Sequence, residues 1–389
     1  FTKGERSMNT FRMPGVIYSG AGSMAQLEKL CAGKRVVVLS DEGIKRSGLV
    51  QKVLELVEPA AKTLHVNTSL AAEPTYMQAQ AVVDDCRASE AETIVALGGG
   101  SVMDMAKLCA ILKDGGHTVK ELLDDPLLGH KCAATVMIPT TAGTGAEATP
   151  NAIVAVPEKE LKVGIVNEEM IPDAVILDGE VLRKLPAHIA AATGIDALCH
   201  AIECYTSKKA NAFSNLFAME ALKIIFSHLE HACEDETAME SKNAMLLAAF
   251  YGGVAISCSG TTAVHALSYP LGGKYHIAHG VANAMMLMPV MRFNRMACLE
   301  EFARVADAVG GPAGTMEQKA DWLLARMETM VKRLKIPTDL RRYGVTMEAL
   351  DELVASGMAV QRLLVNNKRK VTPADARTMY LELLESKEG

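Results

Sequence analysis

Aromatic side chains are scarce in this chain: 4% of 389 residues, with a single tryptophan. Hydrophobic residues still make up 49%, and methionine occurs 22 times. The core must therefore be aliphatic and methionine-rich, as in an ordinary soluble protein. Positive charge is also in deficit. A net charge of −6 excludes the basic face that a nucleic-acid partner requires. No apolar run is long enough to span a bilayer, and no secretory signal is evident, so no membrane partner is expected. The nine cysteines include no C-x-x-C pair. They read as free thiols, small buried hydrophobes in a reducing, cytoplasmic setting. The stretch FTKGERS before Met8 reads as a cloning junction. The chain exceeds what one ordinary core accommodates, so two domains are expected.

What is present falls into two patterns. Short β-branched runs stand at 35–40 (RVVVLS), 60–67, 93–100 (TIVALGGG), 133–141 and 174–182. Amphipathic stretches at 77–90 and 101–114 separate some of them. That alternation predicts an α/β domain, a parallel sheet flanked by helices. Residues 158–166 read as half of a hairpin. After Pro186 strand-like runs vanish. Helical periods follow at 187–206, 210–232, 239–257, 316–334, 346–356 and 372–386. The expected division is 8–186, α/β, and 187–389, all-helical.

The first half carries two loops suited to a dinucleotide. GGGSVMDMAK follows a strand and opens a helix. Gly98, Gly99 and Gly100 let a phosphate approach backbone N–H groups, and the helix N-terminus favours its charge. Ser101 reads as the helix cap, with Asp104 completing a capping-box-like pair. After the next strand, Thr140, Thr141 and Thr144 alternate with Gly143 and Gly145. Two such loops on neighbouring strands describe a crevice at a topological switch point. Asp41 directly follows RVVVLS, where an acid bonds a ribose 2′-OH and repels a 2′-phosphate, so NAD is favoured over NADP. It stands far upstream of the glycines, so the ordinary G-x-G-x-x-G fingerprint does not apply. GAGS (20–23) is a poorer candidate, explained by a turn near a first hairpin.

The second half carries candidate metal ligands. Asp196 and His200 are four apart on a helical stretch, hence on one face. In HALSYPLGGKYHIAH, His265 stands at a helix start and His279 follows fourteen residues later. Pro270, Gly272 and Gly273 are expected to break the helix, so that the chain folds back and the two rings meet. Three imidazoles and one carboxylate suit Zn²⁺ or Fe²⁺, with room for a substrate oxygen.

With these motifs in hand, the chain resembles the iron-containing (group III) alcohol dehydrogenases from about Thr10 onward. GGGSVMDMAK, IPTTAGTGAEAT, the TGIDALCHAIE helix and H-x13-H-G-x-A-N-A match in order and spacing. The resemblance implies a dehydroquinate synthase-like architecture with the active site in the cleft between the two domains. It implies that Asp196, His200, His265 and His279 bind the metal, iron by family habit. It implies that Gly98, Gly99, Gly100 and Ser101 hold the pyrophosphate, and that Thr140, Thr141 and Thr144 line the cofactor path. It also implies a homodimer or larger assembly. Two departures stand out: Tyr269 where many members have histidine, and Ala146 where serine is usual.

The expected reaction is reversible hydride transfer between NAD(H) and a small primary alcohol, diol or hydroxy-acid semialdehyde. Tyr269 and His276 are the candidates for carrying the proton, and Tyr269 also for lining the substrate pocket. Asn151 and Lys162 are the remaining polar candidates near the nicotinamide end. The competing readings are a non-redox lyase similar to dehydroquinate synthase, a metal-free enzyme similar to maleylacetate reductase, and a non-catalytic NAD-binding module. Sparse basic groups weigh against the first, and the complete ligand set weighs against the other two.

Overall fold

The computed structural model describes residues 10–159 and 161–385; FTKGERS lies outside them. Eight strands occur there: β1 (Val16–Ser19), β2 (Arg35–Leu39), β3 (Thr63–Asn67), β4 (Thr93–Gly98), β5 (Ala134–Pro139), β6 (Asn151–Val156), β7 (Leu161–Val166) and β8 (Ala174–Leu177). Six form one sheet in the order β1-β8-β5-β4-β2-β3, every pair parallel. β6 and β7 form an antiparallel hairpin beside it, as expected for 158–166. Strands β4 and β8 are buried along their whole length. That explains their near-continuous apolar sequence, since helices cover both faces of a parallel sheet.

The strand order fixes where a ligand can sit. From β2 the chain moves outward to β3, then returns to place β4 on the other side of β2. Connections leave β2 and β4 in opposite directions, and a crevice opens at their C-terminal ends. Asp41 lies just past the end of β2, and the glycine loop ends β4. The expected first hairpin near GAGS is absent, because β1 pairs in parallel with β8. The strand read at 174–182 stops at Leu177. Asp178 there caps a short 3₁₀ turn, accepting from the Glu180 N–H at 3.2 Å.

The described chain from Ala187 onward is helical. Ala187–Thr206, Ala212–Glu234 and Met239–Ser259 pack against one another. Ala263–Tyr275 and His279–Asn294 then fold back upon each other. Among the described residues no single helix is long and apolar enough to cross a membrane. Met239–Ser259 and Ala263–Tyr275 are apolar together, but they bend by 107° and sit largely buried. All nine cysteines are free.

One close joint holds the helices against the loop that follows β5. Gly145, at φ +61°, rests on the Met239–Ser259 helix; a Cβ there would stand 2.6 Å from the Gly253 backbone. A Cβ on Gly253 would stand 2.2 Å from the Gly145 carbonyl oxygen. No side chain fits at either position, so the threonine loop is held at backbone contact against a helix.

Candidate active site

A cavity of about 450 Å³ runs between the sheet and the helices, within the usual range for a small-molecule site. Gly100, Ser101 and Thr144 line it, and so do His200, His265 and His279. Asn151, Lys162 and Tyr269 line it as well.

The four ligand candidates converge. One donor atom from each of Asp196, His200, His265 and His279 lies within 4.8 Å of the others. Asp196 Oδ1 is 3.8 Å from His200 Nε2, 3.7 Å from His265 Nε2 and 3.8 Å from His279 Nε2. Helix periodicity accounts for the first pair, both on Ala187–Thr206. The fold-back that brings in the other two differs from the expectation. Ala263–Tyr275 runs straight through Pro270 and ends only at His276, which adopts a left-handed conformation at φ +53°. Proline costs one internal hydrogen bond, but packing on both sides preserves the helix. His265, Ser268, Tyr269 and Gly272 therefore share one helical face, and all four line the cavity.

The atoms behind the rings aim them. His200 Nδ1 donates to the Gly143 carbonyl at 3.2 Å. His265 Nδ1 is hydrogen-bonded to the Glu203 carboxylate. Glu203, wholly buried, also accepts from the Thr262 N–H (2.9 Å), the Thr262 hydroxyl (2.7 Å) and the Val264 N–H (2.8 Å). Asn283 donates to Asp196 Oδ1 at 2.7 Å, and its own oxygen accepts from Ser268. The contacts at His200 Nδ1 and His265 Nδ1 fix those tautomers and turn the Nε2 atoms toward Asp196, while Asn283 Nδ2 stands 3.1 Å from both His265 Nε2 and His279 Nε2. Burial opposes ionisation of Asp196, but the surrounding imidazoles outweigh it and hold its carboxyl well below the usual range. Burial pushes His200 down to about 4, so its ring stays neutral and able to ligate. The same effect lowers His279. The His279 side chain is 39% exposed against 2% for Asp196, so the cluster opens to the cavity at His279. Three nitrogens and one carboxylate oxygen, preoriented and open on one side, fit a divalent transition metal.

The glycine loop joins strand to helix as expected, with corrections. Gly99, not Ser101, caps the Gly100–Leu112 helix. Ser101 lies inside the first turn, and its hydroxyl accepts from the Glu73 N–H at 3.1 Å. Asp104 makes no capping pair. Its two oxygens accept from Lys107 Nζ (3.1 Å) and the Ile153 N–H (2.9 Å), tying the helix to the β6–β7 hairpin. A Cβ on Gly98 would meet Val102 at 2.5 Å, so this glycine serves the tight strand-to-helix turn. Gly100 and Ser101 are the loop residues that face the cavity.

Thr144 lines the cavity, whereas Thr140 is buried with its hydroxyl unpartnered and Thr141 flanks the loop outside the lining. Asp41 caps the Glu42–Ser47 helix, accepting from the Ile44 N–H at 2.9 Å. The Asn151 carbonyl accepts from Lys107 Nζ at 2.8 Å, and the residue lines the cavity. Lys162 is paired to Glu73 at 2.7 Å across the cavity wall. The Tyr269 ring lies 6.2 Å from that of His279. His276 is not brought to the site. As the exposed residue that terminates its helix, it is outside the cavity lining.

A dinucleotide-type crevice facing an Asp-His₃ cluster across one cavity defines a metal-assisted oxidoreductase. The sequence description "Iron-containing alcohol dehydrogenase" matches residues 14–179, and "Fe-containing alcohol dehydrogenase family, C-terminal" matches residues 190–384. The chain is 31% identical to long-chain-alcohol dehydrogenase 1 of Geobacillus thermodenitrificans over 375 residues, 94% of each chain. A solved 1,3-propanediol oxidoreductase superposes with a TM-score of 0.92 at 27% identity, covering 97% of this chain and 100% of that one. Sulfoacetaldehyde reductase from Bifidobacterium kashiwanohense, in complex with NAD⁺, superposes with a TM-score of 0.89 at 25% identity, covering 98% and 100%. The chain belongs to the iron-containing alcohol dehydrogenase family. It is an oxidoreductase acting on the CH–OH group of a small alcohol, or in reverse on the aldehyde.

Proposed function

We propose that the protein interconverts a small primary alcohol and its aldehyde with NAD(H) and one ferrous ion held by Asp196, His200, His265 and His279, with Zn²⁺ as the alternative metal. The observation that carries this is the convergence of those four donors beside a cavity that Gly100 and Ser101 of the glycine loop also line. The overall reaction is RCH₂OH + NAD⁺ → RCHO + NADH + H⁺. A divalent ion in such a site polarises the substrate oxygen and lowers the alcohol's pKa. A bound nicotinamide would supply the hydride acceptor or donor.

The chain's own residues do the rest. The N–H groups of Gly100 and Ser101, at a helix N-terminus, cradle the pyrophosphate. Thr144 borders the cofactor path. Asp41 bonds the adenosine ribose and disfavours a 2′-phosphate. Asn151 and Tyr269 bound the substrate, and Glu203, Gly143 and Asn283 hold the ligands in the orientation that leaves one side open. With His276 out of the cavity, Tyr269 is the remaining proton candidate beside His279. The division at Pro186, a homodimeric or larger assembly and a cytoplasmic setting belong to the same reading.

Anaerobic preparation, removal of metal with a chelator and add-back of Fe²⁺ or Zn²⁺ tests it, with NADH followed at 340 nm over short alcohols and aldehydes. Activity lost on chelation and restored by one ion per chain is expected. Full activity in the metal-free protein, or substrate consumption with no net change in NADH, contradicts it.

A further inference from the structure

The cavity wall carries charges that pair off, save one. Besides the histidines, its charged lining residues are Glu73, Asp104, Lys162 and Arg362. Lys162 and Glu73 neutralise each other at 2.7 Å. Asp104 is matched by buried Lys107 at 3.1 Å. Arg362 forms no ion pair among the described residues. Its guanidinium stands 5.8 Å from the centre of the Tyr269 ring. Tyr269 in turn faces His279, so Arg362 lies one aromatic ring away from the metal-ligand cluster.

Arg362 is also well placed to hold a ligand. It belongs to a short helical turn, Gln361–Leu364, whose leucines 363 and 364 are buried. The turn is fastened by Asn366, whose Nδ2 donates to the Thr261 carbonyl at 3.0 Å. Thr261 directly precedes the segment whose N–H groups and hydroxyl hold Glu203, and through it His265. The guanidinium is thus presented on a frame shared with the ligand cluster. Arg362 is itself exposed, at the rim of the cavity it helps to line; a guanidinium with no ion-pair partner there offers a planar or tetrahedral oxyanion a pre-formed fork of donors.

Resting on the function proposed above, we infer that the physiological substrate is an anionic aldehyde or its alcohol. Its carbonyl lies at the metal cluster and its carboxylate or sulfonate on Arg362, with the connecting carbons along Tyr269. A purely aliphatic alcohol would leave Arg362 idle. The hydride chemistry is unchanged, with NADH as reductant and a proton from solvent completing the alcohol.

The test is kcat/KM with NADH for succinate semialdehyde and sulfoacetaldehyde against butanal and propanal, in the metal-loaded full chain. Wild-type protein is expected to favour an anionic aldehyde over its neutral counterpart by about tenfold or more. Arg362→Gln is expected to lower that ratio by about 10- to 100-fold, chiefly through KM of the anionic substrate. Arg362→Lys should keep an intermediate ratio, because it retains the charge but not the fork. The two anionic arms tell carboxylate from sulfonate. Neutral aldehydes used as well as both anionic ones overturn the inference and leave the dehydrogenase reading intact. So does an Arg362→Gln variant that slows every aldehyde alike or only raises KM for NADH. If no aldehyde consumes NADH, the dehydrogenase reading itself fails and this inference goes with it.

Discussion

The ring of His265 is held from behind by Glu203, and Glu203 sits on the same helix face as Asp196 and His200. One helix thus supplies two metal ligands and the group that orients a third. Burial by itself would favour a neutral His265, but the Glu203 and Asp196 carboxylates outweigh it and raise the ring's proton affinity. In the ligating form Nδ1 keeps its hydrogen for Glu203, and Nε2, which stands 3.1 Å from Asn283 Nδ2 here, is the atom that would bind.

Glu203→Gln removes the negative charge behind His265 and puts a donor among four existing donors, so the amide cannot satisfy them all. Metal affinity is expected to fall by about 10- to 100-fold, the usual loss when an outer partner of a ligating histidine is altered. A competition titration against a chelating dye measures it, and circular dichroism checks that the fold survives. Unchanged affinity in a folded variant contradicts the orienting role.

Asp41 combines a structural duty with an expected recognition duty, and the two can be separated. Asp41→Ala removes the side-chain acceptor for the Ile44 N–H and should cost about 1 kcal/mol of stability as a lost helix cap. If the same carboxylate also selects NAD, the NADP-to-NAD ratio of kcat/KM should rise several-fold. Asp41→Asn keeps the cap and should change only the ratio. A ratio unmoved in both variants would mean that Asp41 serves the helix alone.

Much of this was legible in the sequence because it follows from short periodicities. The i, i+4 spacing of Asp196 and His200 and the Gly/Thr loops after β4 and β5 needed no tertiary information. The parallel sheet followed from β-branched runs separated by helices. Other features depended on packing that no local pattern records. Pro270 reads as a breaker, yet its helix is buried along the side that carries His265 and continues to Tyr275. Ser101 and Asp104 look like a capping pair, yet the tertiary partners Glu73 and Ile153 claim them. Glu203 carried a usable signal, seven residues beyond Asp196 on the same face, and Asn283 another, four beyond His279. Arg362, almost a hundred residues past His265, carried none.

The Gly145–Gly253 joint predicts a strong effect from a single methyl group. Gly253→Ala places a Cβ 2.2 Å from the Gly145 carbonyl oxygen, and both partners are backbone. The threonine loop must shift away from the helix, at a cost of about 1–3 kcal/mol for forced repacking. Thr144 and Gly143 move with it, and Gly143 is the carbonyl that orients His200. Thermal melting should show lower stability, and equilibrium dialysis should show weakened binding of both NADH and metal. A variant that melts like wild type contradicts the close approach.

Glu147 makes a prediction about pH. It is 1% exposed, Oε1 has no hydrogen-bond partner, and burial pushes its carboxyl up to about 7, only partly opposed by a backbone N–H and Lys107. The unfolded chain releases this proton near the ordinary glutamate value, so between about pH 4.5 and 7 the folded protein binds more protons than the unfolded one. Its contribution to stability is therefore full below about pH 4.5, is lost as pH rises through 7, and is constant above. The loss amounts to about 3 kcal/mol from the size of that shift. Glu147→Gln keeps the shape and cannot ionise. Urea denaturation at pH 5 and pH 8 should show a variant that gains stability on wild type at the higher pH, with a smaller difference at pH 5. Parallel curves for the two proteins would mean that Glu147 is already ionised in the folded state.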